Sequence, residues 1–223
     1  MVKIKWLGHA GFEIKIDEKT VLIDPWLTGN PKAACTTADI NTADIICVTH
    51  DHSDHLGDSV EICKKTGATF IATYELANYA QKNGVEKVVG FNIGGTIEIA
   101  GLKITLVQAF HTASCGAPTG FIIKGRDRTL YHAGDTGVFS DMKLIGELYR
   151  PDIALLPIGG YYTMGPYEAA VATSLIKPKV VIPMHYMTFP VLTQTADEFV
   201  KNIEEKAIGT KVVILKPGEV YED

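Results

Sequence analysis

The chain lacks the features that mark membrane, nucleic-acid-binding and disulfide-rich proteins. No segment contains the roughly 20 consecutive apolar residues that a membrane span needs, and Lys and Arg form no cluster suited to a nucleic acid backbone. The four cysteines show no CxxC spacing, so we expect free thiols rather than a disulfide framework. The N-terminus has no signal-peptide pattern. These absences predict a cytoplasmic protein with no membrane span and no nucleic-acid partner.

What remains is an ordinary globular composition arranged as two similar halves. The 223 residues carry a net charge of -5, with 46% hydrophobic and 21% charged residues. Each half begins with strands and continues with alternating strands and helices. Capping-box spacings at Asp58–Glu61 and Thr195–Glu198 predict two helix starts. This order predicts an α/β fold, an αββα sandwich with two mixed β-sheets face to face and helices outside, in one domain over residues 1–223.

The most informative segment is Thr49–His55, which reads THDHSDH. It follows an apolar, β-branched run, so we place the polar cluster in the loop at the end of a buried strand. Imidazole and carboxylate groups are the ligands that borderline divalent metals prefer. In an extended loop His50 and His52 project to the same side, and Asp54 and His55 can face a second ion. The segment therefore predicts a metal site rather than a solvated polar loop.

Three further candidates follow predicted strands later in the chain. They are His111, Asp135 and His185. Each alone has an ordinary explanation as a loop histidine, a turn aspartate or a core histidine. Because open α/β sheets place their sites at the carboxyl ends of strands, we expect all three to join the Thr49–His55 cluster.

The motifs at these positions resemble those of the metallo-β-lactamase superfamily. The H-x-H-x-D-H arrangement at His50–His55 is similar to its defining motif, and the later candidates match its ligand positions in order. Segments such as Leu7–Ala10, Tyr131–Thr136 and Leu156–Gly160 resemble those of a small, largely uncharacterised group of metal-dependent hydrolases. Tyr161 departs from that group, where a more polar residue is usual. The resemblance covers essentially the whole chain.

The resemblance implies a dinuclear site with a bridging hydroxide. One ion would be held by His50, His52 and His111, the other by Asp54, His55 and His185, with Asp135 between them. The ligand set contains nitrogen and oxygen but no sulfur, which suits zinc first and also manganese, iron or nickel. Flavodiiron relatives have glutamate in place of His52, so this histidine favours hydrolysis. Asp54 would also orient the nucleophile.

Other residues have predicted roles around the metals. The resemblance places His9 near them, where it could contact the substrate or protonate the leaving group. Asp24 ends the third predicted strand and is interpreted as a carboxylate that anchors the metal loop. His132 lies within a strand and is predicted to be a core histidine. Three residues before the helix at Pro166 are candidates for substrate binding: Tyr161, Tyr162 and Met164.

The leading prediction is hydrolysis of a small ester, lactone or phosphodiester. Thioester hydrolysis of the glyoxalase II kind ranks lower, because we find no C-terminal helical extension for glutathione. A mononuclear iron oxygenase of the same fold would use only His50, His111 and Asp135. A regulatory protein that keeps the site would bind metal without turnover. The sequence names neither the substrate nor the oligomeric state, and a homo-oligomer remains open.

Overall fold

Two seven-stranded β-sheets form the centre of the molecule. A computed structural model describes residues 1–223. The strands are β1 (Val2–Gly8), β2 (Gly11–Ile16), β3 (Lys19–Ile23), β4 (Ile45–Cys47), β5 (Thr69–Thr73), β6 (Val88–Phe91), β7 (Thr96–Ile99), β8 (Leu102–Gln108), β9 (Thr119–Lys124), β10 (Thr129–His132), β11 (Ile153–Pro157), β12 (Val180–Met184), β13 (Lys211–Val212) and β14 (Val220–Glu222). The helices are α1 (Ser53–Leu56), α2 (Ser59–Thr66), α3 (Tyr74–Lys82), α4 (Met142–Tyr149), α5 (Pro166–Ile176) and α6 (Asp197–Lys206), with a 3-10 helix at Thr37–Asp39.

The two sheets have the same mixed pattern. The first has the order β14-β1-β2-β3-β4-β5-β6 and the second the order β13-β12-β11-β10-β9-β8-β7. In each, antiparallel strands give way to parallel ones, at β3 in the first sheet and β10 in the second. Parallel strands need crossover connections, and α2, α3, α4, α5 and α6 lie in such connections. The predicted sandwich of two mixed sheets is confirmed.

Alternation along the strands divides the buried side chains between two clusters. Val21 and Ile23 belong to a 44-residue cluster that draws on both sheets. Leu22, between them, points the other way and joins a 14-residue cluster that includes Ile62 of α2 and Leu76 of α3. Successive strand residues face opposite sides of a sheet, so one strand contributes to both layers. None of the helices has the length and apolar character that crossing a bilayer requires.

Several local predictions are wrong in detail. Asp58 does not cap α2 with its side chain; it accepts hydrogen bonds from the N–H groups of Leu27 and Thr28, at 2.7 and 2.9 Å. The last helix begins at Asp197, and Thr195 provides no cap. Residues Ser53–Leu56, expected to be loop, form the single turn of α1. At both positions a helix forms as predicted, but the predicted side-chain cap does not.

Candidate metal centre

The predicted ligands gather at one edge of the two sheets. Asp24 follows β3, and the Thr49–His55 segment follows β4. In the second sheet the ligands follow β8, β10 and β12, which run in the same direction. The loops after these strands carry His111, Asp135 and His185, respectively. The fold therefore brings together predicted ligands that lie up to 135 positions apart along the chain (His50 to His185), with the anchoring Asp24 161 positions before His185.

Three histidines form the first cluster. His50 Nε2 lies 3.0 Å from His52 Nδ1, and His111 Nε2 lies 3.3 Å from the same His52 atom. All three nitrogens fall within 4.8 Å of one another. His52 stands immediately before α1, and this position turns its Nδ1 toward the other two rings. Three converging imidazole nitrogens are the donor set of many protein zinc sites.

Asp135 joins the first cluster to a second one. Its Oδ2 lies 3.5 Å from His111 Nε2 and 3.0 Å from His185 Nε2, while its Oδ1 lies 3.2 Å from His55 Nε2. Asp54 completes the second cluster, with its Oδ2 3.9 Å from His185 Nε2. The carboxylate of Asp135 thus faces both groups of histidines.

Asp24 fixes ligands of both clusters. Its Oδ2 accepts a hydrogen bond from His55 Nδ1 at 2.7 Å and another from the hydroxyl of Thr49 at 2.6 Å, and its Oδ1 accepts from the Thr49 N–H at 2.8 Å. Since the Thr49 hydroxyl donates to Asp24, it accepts from His50 Nδ1, 3.0 Å away. Nδ1 is therefore the donor in both histidines, and the hydrogen bond that it makes leaves Nε2 facing inward, as in metal-ligating histidines.

Buried charge in the clusters is balanced within the site. His185 and His55 hold the pKa of Asp135 well below its usual range, although burial opposes the charged form. Likewise burial opposes the charge on His55, yet Asp135 and Asp24 raise its pKa well above 6.5. Burial lowers the pKa of His50 to about 3, with a further contribution from His55. The carboxylates of the site thus stay ionised, and positive charge beside them stabilises this ionised form.

His9 is buried beside the second cluster, and one of its ring nitrogens lies within 4.8 Å of the ligand atoms of Asp54, His55 and His185. Its side chain is 0% exposed, and burial, together with the nearby His185, lowers its pKa to about 4. A neutral ring that faces the Asp54 carboxylate must donate from Nε2, at 3.1 Å, so Nδ1 accepts from the Thr188 hydroxyl at 2.6 Å. The His9 carbonyl also accepts the His185 N–H at 3.0 Å. His9 therefore holds one ligand by its side chain and another by its backbone.

The backbone takes the left-handed conformation at several of these positions. His9, Asp24 and His185 have φ of 56°, 44° and 57°, respectively. Such values are uncommon for residues other than glycine and concentrate at functional sites. Gly134, with φ of 62°, passes so close to Thr119 that an added Cβ would lie 2.5 Å from its carbonyl oxygen. Only glycine fits there, and this close approach of the backbone to Thr119 places Asp135 in the centre.

The residues present fit a metal centre. Buried polar atoms normally have a hydrogen-bond partner, but His55 Nε2, Asp135 Oδ1 and His185 Nε2 have none. They lie close together without hydrogen-bonding geometry and point at a shared space. Imidazole nitrogen and carboxylate oxygen around such a space suit a divalent cation.

A cleft of about 420 Å³ opens onto the two clusters. Five predicted ligands line it, together with Ser53, Thr112, Tyr162 and Phe189. Tyr162 is 52% exposed and faces this space, whereas Tyr161 is 67% exposed, packs edge-on against Tyr162 and does not line the cleft. Met164 is 2% exposed and packs in the core. Met164, which the sequence predicts to contact substrate, does not line the cleft.

Three residues of the site had no role predicted from the sequence. Thr49 and Thr188 hydrogen-bond to site residues, and Phe189 lines the cleft. The only signal was their place beside predicted ligands. His132 is buried as expected of a core histidine: its Nε2 donates to the Ala10 carbonyl at 2.9 Å, and its Nδ1 accepts from the Gly134 N–H at 3.1 Å.

Comparison with known proteins identifies the family of this chain. The family description "Beta-lactamase superfamily domain" matches residues 3–185. A UPF0173 metal-dependent hydrolase of Methanopyrus kandleri is 55% identical over 99% of this chain and 100% of its own length. The chain belongs to the UPF0173 metal-dependent hydrolases of the metallo-β-lactamase superfamily. Another UPF0173 member, from Methanosarcina mazei, is 50% identical over 98% of this chain and 97% of its own length.

Solved structures place the UPF0173 chain in the same fold. The metallo hydrolase Igni18 from Ignicoccus hospitalis is 42% identical and has a TM-score of 0.93, covering 100% of this chain and 99% of its own. An isothiocyanate hydrolase from Delia radicum gut bacteria has a TM-score of 0.81 over 99% and 98% of the two chains. Its 19% identity shows a shared fold alone.

Proposed function

We propose that this metal-dependent hydrolase uses two divalent ions to cleave a small ester, lactone or phosphodiester. The first ion would be held by His50, His52 and His111, the second by Asp54, His55 and His185, with Asp135 between them. The observation that carries the proposal is the set of buried atoms on His55, Asp135 and His185 that lack hydrogen-bond partners beside a separate three-histidine cluster. Zinc suits this donor set first; manganese, iron and nickel are the alternatives.

The side chains around the ions would position the reacting groups and transfer protons. A pair of such ions, when bound, provides Lewis acidity and lowers the pKa of a water molecule toward neutrality. Asp54 lies at the cleft with 20% of its side chain exposed, so it can accept a hydrogen bond from the attacking water. His9 fixes the Asp54 carboxylate through its Nε2. Its complete burial supports a positioning role for His9 rather than contact with the substrate or the leaving group.

In the iron oxygenase alternative, part of the centre would bind no metal. A mononuclear site built on His50, His111 and Asp135 would not use His55 or His185. Their buried Nε2 atoms would then remain without partners, at a cost of about 1–3 kcal/mol each. This cost favours two ions over one.

The test is turnover by metal-loaded protein against a defined panel. Protein stripped by chelation and reloaded with zinc is offered a carboxylic ester, a lactone, a thioester and a bis-aryl phosphodiester. We expect hydrolysis of at least one, with Asp54→Asn lowering kcat at least about 100-fold. Asp44→Asn, which changes an exposed carboxylate ahead of β4, is the matched control. Full turnover by Asp54→Asn, or oxygen consumption with one iron per chain, would refute the proposal.

A further inference from the structure

Two aromatic side chains line the cleft, and each packs against a second aromatic ring. Phe189 lines the cleft, and Trp26 stacks on it with ring centroids 5.7 Å apart and an angle of 25° between the planes. Tyr162 also lines the cleft, and Tyr161 packs against it edge-on at 4.8 Å. Each lining ring is thus supported by a second ring outside the cleft. Such supported rings lose little freedom when a ligand ring packs on them.

The same cleft carries no cationic side chain. Its lining includes neither Lys nor Arg, although the chain has 21 of them. Proteins usually recognise phosphate and carboxylate groups with Arg or Lys. The ionisable groups at the cleft are histidines and the carboxylates of Asp54 and Asp135. Any anionic group placed away from the ions would therefore lose its hydration without gaining a counter-charge.

We propose that the substrate is an uncharged carboxylic ester or lactone whose non-reacting part carries an aromatic ring, bound by Tyr162 and Phe189. This inference rests on the proposed hydrolase function and selects within it, because the part of the substrate away from the ions would meet aromatic rings and no Lys or Arg. The cleft volume of about 420 Å³ lies in the lower part of the range of about 300–1,000 Å³ for small-molecule sites. One ring and one ester fit a site of this size.

A matched set of lactones tests the substrate class. Zinc-loaded protein is given γ-butyrolactones that carry a phenyl, a propyl or a carboxylate group at the γ-carbon, and ring opening is followed by proton release. We expect kcat/KM for the phenyl compound to exceed that for the propyl compound by roughly 2- to 10-fold. The carboxylate compound should fall at least about tenfold below the propyl compound.

Two variants of the cleft should change these preferences in opposite ways. Phe189→Leu keeps an apolar side chain but removes the ring, so the phenyl preference should fall to near 1, whereas the exposed ring change Tyr79→Leu should leave it intact. Thr112→Arg adds a cation at the cleft and should raise kcat/KM for the carboxylate lactone at least about tenfold. Thr42→Arg, an exposed threonine outside the cleft, should not.

Binding gives a readout that needs no turnover. The uncharged ketones 3-phenylcyclopentanone and 3-propylcyclopentanone are titrated while the fluorescence of Trp26 is followed, with Trp6 buried elsewhere in the core. Tighter binding of the phenyl ketone by roughly 2- to 10-fold supports the inference. Equal binding, or faster cleavage of the carboxylate lactone or of a phosphodiester, overturns it. If no compound is hydrolysed while the ring preference persists in binding, the proposed hydrolysis fails and the aromatic subsite stands.

Discussion

Replacement of Asp24 by Asn should weaken both metal sites at once. Asp24 is fully buried and accepts three hydrogen bonds, from His55 Nδ1, the Thr49 hydroxyl and the Thr49 N–H. Asn has nearly the same shape and tolerates the left-handed backbone at this position, where φ is 44°. The change therefore tests the carboxylate itself, because neither volume nor backbone strain changes much.

An amide can satisfy only part of this arrangement. If the Asn oxygen faces His55 and the Thr49 hydroxyl, its NH₂ group meets the Thr49 N–H, and two donors face each other. If the oxygen faces the Thr49 N–H, the NH₂ group meets His55 Nδ1. His55 must then carry its proton on Nε2, the nitrogen that points at Asp135, and that nitrogen can no longer bind a metal.

The expected loss follows from the role of such supporting groups. Removing a hydrogen-bond partner of a metal ligand typically costs 10- to 100-fold in metal affinity, or about 1.4–2.7 kcal/mol. Asp24 reaches His55 directly and His50 through Thr49, so we expect a loss in this range at each site.

Zinc titration against a chromophoric chelator measures both affinities. Asp44→Asn changes an exposed carboxylate and should bind as the wild type does. Circular dichroism shows whether Asp24→Asn remains folded. Two unchanged zinc affinities in a folded Asp24→Asn protein would refute the reasoning about tautomers.

Three further predictions concern the surroundings of the centre. In fully metal-loaded protein, His9→Asn, which suits the φ of 56°, should lower kcat about 10- to 100-fold; an unchanged kcat would contradict a role in holding the Asp54 carboxylate. In metal-free protein, His9 and His50 have pKa values of about 4 and about 3, so the unfolded chain binds more protons below pH 6.5. The free energy of unfolding should thus fall on acidification toward pH 4 by up to about 1.4 kcal/mol per pH unit for each histidine; urea unfolding independent of pH would contradict this. Chelation should lower Tm, since metal at 1,000 times its Kd stabilises the folded chain by about 4 kcal/mol; an equal Tm with and without metal would show that the folded chain holds no ion.

The ligand set was accessible from sequence because its determinants are local. Each candidate follows an apolar, β-branched strand, and strand ends place groups at a sheet edge whatever the remaining topology. The H-x-H-x-D-H motif adds a spacing that the single turn of α1 preserves: His52 stands before the turn, and Asp54 and His55 lie within it. Four residues are too few for a helical periodicity, so that turn was missed.

The unpredicted features depend on contacts between distant parts of the chain. The His9–Thr188 hydrogen bond joins residues 179 positions apart, and β14 pairs with β1 through Lys3 and Glu222 among others. Asp58 matches the capping pattern, yet its carboxylate accepts hydrogen bonds from the N–H groups of Leu27 and Thr28 instead. In each case tertiary structure supplied a partner that no local pattern encodes.

Metal analysis of the zinc-loaded and dialysed protein tests the central claim most directly. Native mass spectrometry should find two zinc ions per chain in the wild type. His111→Ala, which alters only the first cluster, and His185→Ala, which alters only the second, should each retain one. A wild-type chain that holds a single ion would contradict the dinuclear centre, and a His185→Ala chain that still holds two would contradict the assignment of His185 to the second ion.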